Sequence, residues 1–197
     1  MLYAIVPVKR LVRAKTRLAP ALSFNQRLRL ARHFLHRTLG VVARFPGASR
    51  TIIVSADPAV LHLARSRKMI ALPEPGHGNI NRAINIGSRY AKAHAATSVL
   101  ILPTDLPLLD ARSLRHFSRL AATPTIRIAP DRHETGTNAL YLQPPRAGFA
   151  RFGVDSLRKH RAAAPETGSN VEVVRSHDLT FDVDVPADLT VYGRAIR

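Results

Sequence analysis

The sequence contains no cysteine and no tryptophan, and its aromatic residues are limited to seven Phe and four Tyr. The lack of cysteine excludes disulfides, a thiol nucleophile and thiolate metal ligands, and it is consistent with a cytoplasmic protein. So few aromatic residues offer no stacking platform for single-stranded nucleic acid. No apolar run approaches the ~20 residues that span a membrane. The first residues, MLYAIVPVKR, do not have the form of a signal peptide.

Acidic residues are also scarce: 13 Asp and Glu stand against 30 Lys and Arg, which gives a formal net charge of +17. Such an excess indicates anionic partners, namely phosphates, nucleotides or nucleic acid. Alternatively, the cations only coat a solvated surface. They are spread over most of the chain and form no dense tail. We therefore rank small phosphorylated ligands above nucleic acid.

The 197 residues, 46% of them hydrophobic, are enough for one domain with a proper core, and we assign residues 1–197 to a single domain. Apolar stretches of strand length alternate with amphipathic helical patterns, which predicts an α/β fold with a mostly parallel sheet flanked by helices. The predicted strands are Leu2–Val8, Thr51–Val54, Met69–Leu72, Val99–Leu102, Ile126–Ala129, Ala139–Leu142, Glu172–Val174 and Thr180–Val183.

Several helix boundaries can also be predicted from local signals. Ser23 and Gln26 have the spacing of a capping box, which begins a helix that ends near Arg44. The other predicted helices are Pro58–Lys68, one capped by Asn79 or Asn81, Arg112–Ala122 capped by Asp110, Val154–Ala164, and a final helix whose first turn contains Pro186.

The stretch Val99–Asp110, VLILPTDLPLLD, is the centre of the functional prediction. A continuous apolar run is typical of a strand buried on both faces. It ends at Pro103, and Asp105 follows between two prolines. In open α/β sheets the carboxyl edge of the strands is where ligands bind, so Asp105 is a candidate functional residue. The alternative is that Asp105 only caps a turn.

Two further features belong with Asp105. The loop after the first strand, KRLVRAKTRLAP, has five cations that could bind phosphate, although a basic loop can also simply face water. Asp182 and Asp184 would alternate on one face of the last predicted strand. A carboxylate pair such as Asp105 and Asp184 could hold Mg²⁺ for phosphoryl or nucleotidyl transfer. No Walker A motif is present, which argues against a P-loop NTPase.

Five motifs resemble one known family. They are VPVKRLVRAKTRLA (Val6–Ala19), LPTDLPLL (Leu102–Leu109), APD…GTNAL (Ala129–Leu140), FGVDSLRKH (Phe152–His160) and DVDVPADL (Asp182–Leu189). They span nearly the whole chain in the order found in the 2-phospho-L-lactate and phosphoenolpyruvate guanylyltransferases of coenzyme F-420 biosynthesis. That family has the MobA-like nucleotidyltransferase fold.

The resemblance implies a role for each matching residue. The implied GTP ligands are Lys9, Lys15, Gly78 and Asn81, of which the two lysines would contact the phosphates and the other two the base. Asp105 and Asp184 would hold Mg²⁺, with Lys15 and Asp105 as the catalytic residues. The implied ligands of the phosphorylated acid are Thr137, Gly153 and Ser156. The chain departs from the family pattern at Thr16, usually Ser, and at Val185, where Thr is common.

The resemblance implies that GMP passes from GTP to 2-phospho-L-lactate, phosphoenolpyruvate or 3-phospho-D-glycerate, with release of pyrophosphate. One alternative is another enzyme of the same fold, such as a molybdopterin guanylyl- or cytidylyltransferase. Those enzymes typically have a glycine-rich loop where this chain has VKRLVRAKTRL. The other alternative is a basic, non-enzymatic nucleic-acid-binding protein. The sequence leaves a homodimer open, because no feature specifies one.

Overall fold

The computed structural model describes residues 1–76 and 78–195, and within them seven strands form one sheet. Their order across the sheet is β3-β2-β1-β4-β6-β5-β7. The strands are β1 (Leu2–Val8), β2 (Thr51–Ser55), β3 (Ile70–Pro73), β4 (Ser98–Ile101), β5 (Thr125–Pro130), β6 (Thr137–Gln143) and β7 (Asn170–Val173). The stretch that the sequence analysis placed at the centre, β4, is the middle strand.

The sheet is mixed but mostly parallel, as predicted. β1 pairs in parallel with both β2 and β4, β2 with β3, and β5 with β7. β6 is antiparallel to its two neighbours, β4 and β5. The carboxyl ends of β1, β2, β3 and β4 therefore meet at one edge of the sheet, which is the edge expected to bind ligands.

The α-helices flank this sheet. They are α1 (Phe24–Val42), α2 (Pro58–Ser66), α3 (Ile80–Ala93), α4 (Ala111–Phe117), α5 (Ser156–Ala163), α6 (His177–Thr180) and α7 (Pro186–Ala195). Ser23 and Gln26 form the predicted capping box of α1. Asp110 caps α4 as predicted, and Asn79, not Asn81, caps α3. None of the helices in the described residues is long and apolar enough to cross a membrane.

Alternate residues of the strands build a core on each face of the sheet. In β1, Ala4 and Val6 pack into one cluster, whereas Tyr3 and Ile5 pack into the other. This alternation follows from the two-residue period of a strand. Helices on both sides cover the two clusters, so the central strands are buried on both faces. That burial explains why they appear in the sequence as continuous apolar runs.

One predicted element is wrong. Thr180–Val183 is not a strand: Thr180 ends the short helix α6, and the residues after it run without a sheet partner in the described structure. Phe181 and Val183 are buried because they pack with Leu18 and Phe34 in a separate core cluster. The alternating pattern that suggested a strand thus reflects packing against α1 and the loop after β1.

Three predicted helices are also shorter than expected, and of these α2 ends at Ser66 rather than at Lys68. α4 ends at Phe117 rather than near residue 122. α5 begins at Ser156, because Asp155 has left-handed backbone angles (φ 54°) that cannot belong to the helix. The shorter α5 matters for function, since its first turn lies beside the cavity described next.

Candidate active site

A cavity of about 710 Å³ opens at the carboxyl edge of β1 and β4. The end of β1 and the loop after it form one wall, and residues 103–105, directly after β4, form its floor. The beginning of β6 and the turn before α5 form a second wall. Of the site residues named from the sequence, the cavity lining contains Lys9, Lys15, Asp105, Thr137, Gly153, Ser156 and Asp184.

Lys15 lies at the junction of the site's charged groups. Its Nζ is 3.2 Å from Oδ2 of Asp105 and 3.0 Å from Oδ1 of Asp184, and it donates a 2.7 Å hydrogen bond to the carbonyl of Val183. Lys15 itself has left-handed backbone angles (φ 55°) between two short 3-10 turns, Leu11–Arg13 and Thr16–Leu18. Three segments far apart in the chain thus converge on a single ammonium group.

The two carboxylates determine the charge state of Lys15. Burial alone would lower the pKa of its amine, because only 9% of the side chain is exposed. The negative charges of Asp105 and Asp184 and their hydrogen bonds outweigh burial and raise the pKa above its usual value. Lys15 therefore remains a cation at neutral pH and offsets the repulsion between the two carboxylates.

The backbone around Asp184 is held by Asp188, a residue that the sequence analysis did not select. Oδ2 of Asp188 accepts hydrogen bonds from the N–H groups of Asp184 (2.7 Å) and Val185 (2.8 Å), and its other oxygen pairs with Arg132. The available signal was an Asp in the first turn of a helix that begins with Pro186, because acceptors there satisfy free N–H groups.

Asp182 is a third carboxylate in the cavity lining. Burial, together with the charges of Asp105 and Asp184, raises the pKa of Asp182 to about 6. Its Oδ1 lies 3.5 Å from the amide nitrogen of Asn138. Among the described residues no group of three or more His, Asp or Glu side chains is arranged as a ready metal site. The cation seen between the carboxylates is the ammonium group of Lys15.

The second wall contains the residues predicted to bind a phosphorylated acid. Thr137 begins β6 and is nearly buried, with its hydroxyl 2.9 Å from Nδ1 of His160. Gly153 (φ 124°) has backbone angles that strongly favour glycine, and Ser156 begins α5. The N–H of Ser156 donates to the carbonyl of Gly153. Gly153 and Ser156 thus lie at the start of α5, and Thr137, at the start of β6, is joined to α5 through His160.

The two residues predicted to contact the base are placed differently. Gly78 and Asn81 are absent from the lining of the cavity in the described structure. The Asn81 side chain accepts from the N–H of Phe152 (2.8 Å) and donates to its carbonyl (3.0 Å), so the amide clamps the loop before Gly153. Glu74 and Asn79 line this end of the cavity instead. Sequence reasoning overlooked Glu74, whose only signal was a carboxylate directly after a strand.

Comparison with known proteins identifies the family. A family model described as "Guanylyl transferase CofC like" matches residues 2–192. This chain belongs to the CofC-like guanylyltransferase family. The phosphoenolpyruvate guanylyltransferase of Conexibacter woesei is 38% identical over 189 residues, which cover 95% of this chain and 85% of that protein. The 2-phospho-L-lactate guanylyltransferase of Methanothermobacter thermautotrophicus is 35% identical over 186 residues, covering 94% and 81%.

The fold also matches solved structures. A crystal structure from Desulfovibrio desulfuricans G20, described as a nucleotide-diphospho-sugar transferase, superimposes with a TM-score of 0.79 at 16% identity. The match covers all of this chain and 87% of the other. At that identity the likeness shows the fold alone.

Proposed function

We propose that this member of the CofC-like family transfers GMP from GTP to a small phosphorylated acid and releases pyrophosphate. The observation that supports this best is the contact of the Lys15 ammonium group with Asp105 and Asp184 at the sheet edge. The second wall offers the Thr137 hydroxyl, which suits a second anionic ligand. A cavity of about 710 Å³ has room for a ligand of drug-like size.

In this proposal each wall of the cavity binds a different substrate. Lys9 and Lys15 contact the triphosphate of GTP, because they line the cavity on the β1 side. Thr137, Gly153 and Ser156 hold the acid on the β6 side. Gly78 stays a proposed contact for the base, whereas the hydrogen bonds of Asn81 to Phe152 favour an indirect role, in which it shapes the wall of the cavity.

Asp105 and Asp184 are the proposed ligands of Mg²⁺. Their oxygens suit this hard ion, and both carboxylates already lie within reach of a common cation, Lys15. When bound, the ion would neutralise charge on the phosphates of the nucleotide. Asp182 lies close enough to both carboxylates for their charges to raise the pKa of Asp182, and a cation would relieve that repulsion.

The chemistry proposed is an in-line displacement. A phosphate oxygen of the acid forms a bond to the α-phosphorus of GTP, while the bond from that phosphorus to the bridging oxygen breaks and pyrophosphate leaves. The second pKa of a phosphate is ~6, so the nucleophile is already anionic near neutral pH. A strong general base is unnecessary. Lys15 and the proposed metal act by positioning and by offsetting the charge that develops.

The acceptor is proposed from the names of the relatives, which act on phosphoenolpyruvate or 2-phospho-L-lactate. A role in coenzyme F-420 biosynthesis would follow from that acceptor, and 3-phospho-D-glycerate is a third candidate. A cytoplasmic location and a homodimer stay predictions.

The test is pyrophosphate release with GTP and Mg²⁺, measured with each of the three acids and with no acid. We expect release that depends on one acid, which would establish the reaction and its acceptor together. Nucleotide binding without release would indicate a different acceptor. If the protein neither binds the nucleotide nor releases pyrophosphate, the proposal is contradicted, and a nucleic-acid-binding protein is favoured.

Substitution of Asp105 tests the site itself. Asp105→Asn removes the charge that pairs with Lys15 and one proposed metal ligand, so we expect turnover to fall by at least about 100-fold with the fold intact. Glu166→Gln, at an exposed position in the turn Pro165–Thr167, is the matched control and should keep full activity. Near-normal turnover of Asp105→Asn would remove Asp105 from the mechanism.

A further inference from the structure

His160 is a buried residue of α5 that contacts the wall proposed to bind the acid. It has no exposed surface, and the ring lies between the side chains of Phe149 and Phe152, with centroid distances of 5.8 and 5.2 Å. Nδ1 is 2.9 Å from the hydroxyl of Thr137, and Nε2 is 2.8 Å from the backbone nitrogen of Arg151. One imidazole therefore joins the start of β6 to the loop before Gly153.

The two hydrogen bonds assign the tautomer of this ring. A backbone N–H can only donate, so Nε2 must accept from Arg151, and Nε2 carries no proton. In a neutral ring Nδ1 then carries the proton and donates to the Thr137 oxygen. Burial, with the charge of Arg151 as a smaller cause, lowers the pKa of His160 to about 4, so the ring is neutral at physiological pH.

This arrangement determines what Thr137 can do. Because its oxygen accepts the proton of Nδ1, its own hydroxyl proton is directed elsewhere, and Thr137 is part of the cavity lining. A hydroxyl that keeps its proton free and lines a cavity can donate to a phosphate or carboxylate oxygen of a ligand. The opposite tautomer of His160 would accept from Thr137 and would leave the hydroxyl without a proton for a ligand.

We propose that His160 is a positioning residue that fixes the Thr137 hydroxyl as a hydrogen-bond donor to the anionic group of the acceptor acid, an inference that rests on the proposed function. The Arg151 N–H fixes the tautomer of His160. The clamp of Asn81 on Phe152 holds the next residue of the same loop. In this proposal His160 contacts no substrate, but it determines that the Thr137 hydroxyl donates a hydrogen bond to the acid.

Two substitutions separate the two hydrogen bonds of the ring. In His160→Asn the amide nitrogen is the same number of bonds from Cα as Nδ1, so it can still donate to Thr137. In His160→Gln the amide oxygen corresponds to Nε2, so it can still accept from Arg151 but leaves Thr137 without its donor. His62→Asn, at an exposed position of α2, is the control for histidine replacement.

We expect His160→Gln to raise the KM for the acid about tenfold, the loss that one hydrogen bond to a charged group would give, while the KM for GTP changes less than about twofold. His160→Asn should restore most of the acid affinity. Thr137→Val should raise the KM for the acid, and His160→Gln should add little in that background, because both changes remove the same donor. An additive effect of the two would contradict the proposal.

Other outcomes would also overturn it. An unchanged acid KM in His160→Gln, or an equal rise in the KM values of GTP and the acid, would make His160 a purely structural residue. If neither His160 variant folds, Thr137→Val still tests the donor that the proposal requires: an unchanged acid KM in that variant overturns the proposal, and Phe149→Leu, which alters the packing of the His160 ring, should then raise the KM for the acid and not that for GTP. Wild-type protein without acid-dependent pyrophosphate release would be a failure of the proposed function instead.

Discussion

At the scale of single residues, the site depends on charge balance inside a partly buried cavity. The ammonium group of Lys15 contacts two carboxylates and a carbonyl oxygen, and it lies 5.9 Å from the ring centre of Phe34. A cation in this position keeps Asp105 and Asp184 close together despite their like charges. In the proposed reaction the same ammonium group also contacts the negatively charged triphosphate of GTP.

Replacement of Lys15 tests this balance. Lys15→Met keeps most of the length of the side chain but removes its charge, so the carboxylates repel each other and the phosphates lose a counter-charge. We expect turnover to fall at least about 100-fold, measured as pyrophosphate release under saturating GTP. Lys92→Met, on the exposed face of α3, should behave as wild type. Equal activity of the two variants would contradict a role for Lys15.

The buried ring of His160 should make the free energy of unfolding depend on pH. The unfolded histidine has a pKa of 6.5, whereas the pKa of the folded one is lowered to about 4 by burial and by the charge of Arg151. Between these values the unfolded chain binds more protons. The free energy of unfolding therefore falls as the pH decreases from 6.5 towards 4, by up to about 3 kcal/mol from this residue.

The measurement is urea unfolding of wild type and His160→Asn at several pH values between 4 and 7. The variant lacks the titrating ring, so the difference in unfolding free energy between the two proteins should be largest at neutral pH and should shrink on acidification. Parallel curves over this range would show that the folded ring is not held neutral.

At the scale of elements, the helices owe their positions to local signals and to close packing. The capping box of Ser23 and Gln26 begins α1, and Asp57, Asn79 and Asp110 each cap a helix with a side-chain hydrogen bond. α3 approaches the sheet so closely that a Cβ atom at Gly87 would lie 2.7 Å from Cγ2 of Ile5. The absence of a side chain at Gly87 thus determines the distance of α3 from β1.

Two glycine-to-alanine changes compare close packing with helix propensity. Gly87→Ala should lower the free energy of unfolding by about 1–3 kcal/mol, because the added methyl group overpacks the contact with Ile5. Gly40→Ala, in α1 with no atom within 4 Å of the added Cβ, should raise it by about 0.5–1 kcal/mol. Denaturant unfolding of both variants gives the comparison. A stabilising Gly87→Ala would contradict the close approach.

At the scale of the whole molecule, the formal net charge of +17 creates a field that favours anions of any kind. Such a field raises the encounter rate with nucleotides and phosphorylated acids at low ionic strength. We expect the same field to favour weak, non-specific binding to nucleic acid, which has to be distinguished from function. In the cavity, Lys15 is paired with Asp105 and Asp184, whereas many arginines lie exposed on the surface.

The dependence on salt concentration distinguishes non-specific binding to nucleic acid from binding of the substrates. We expect the affinity for a random-sequence DNA duplex to fall at least about tenfold between roughly 50 and 200 mM salt, because such binding releases counterions. Anisotropy of a labelled duplex measures this. Pyrophosphate release at saturating substrates should change far less. DNA binding that is still tight at about 200 mM salt, together with no acid-dependent pyrophosphate release, would favour the nucleic-acid alternative.

The sequence by itself determined the features that act over a few residues. Apolar runs predicted the strands of the sheet, and capping residues predicted where α1 and α4 begin. Pro103 predicted that the central strand, β4, ends before it. The class of fold and the placement of Asp105 after the middle strand followed from these local patterns. They could be predicted because strand and helix periods, caps and prolines depend on neighbouring residues.

Tertiary structure decided what depends on distant parts of the chain. Lys15 meets Asp105 and Asp184 across 90 and 169 positions. Only the packing of the folded chain shows that Phe181 and Val183 belong to a core cluster and not to a strand of the sheet. The contacts of Asn81 with Phe152 and of His160 with Thr137 likewise join separate segments. The physical reason is that such contacts depend on the order of strands and on which side chains share a buried space, and neither is encoded in a local pattern.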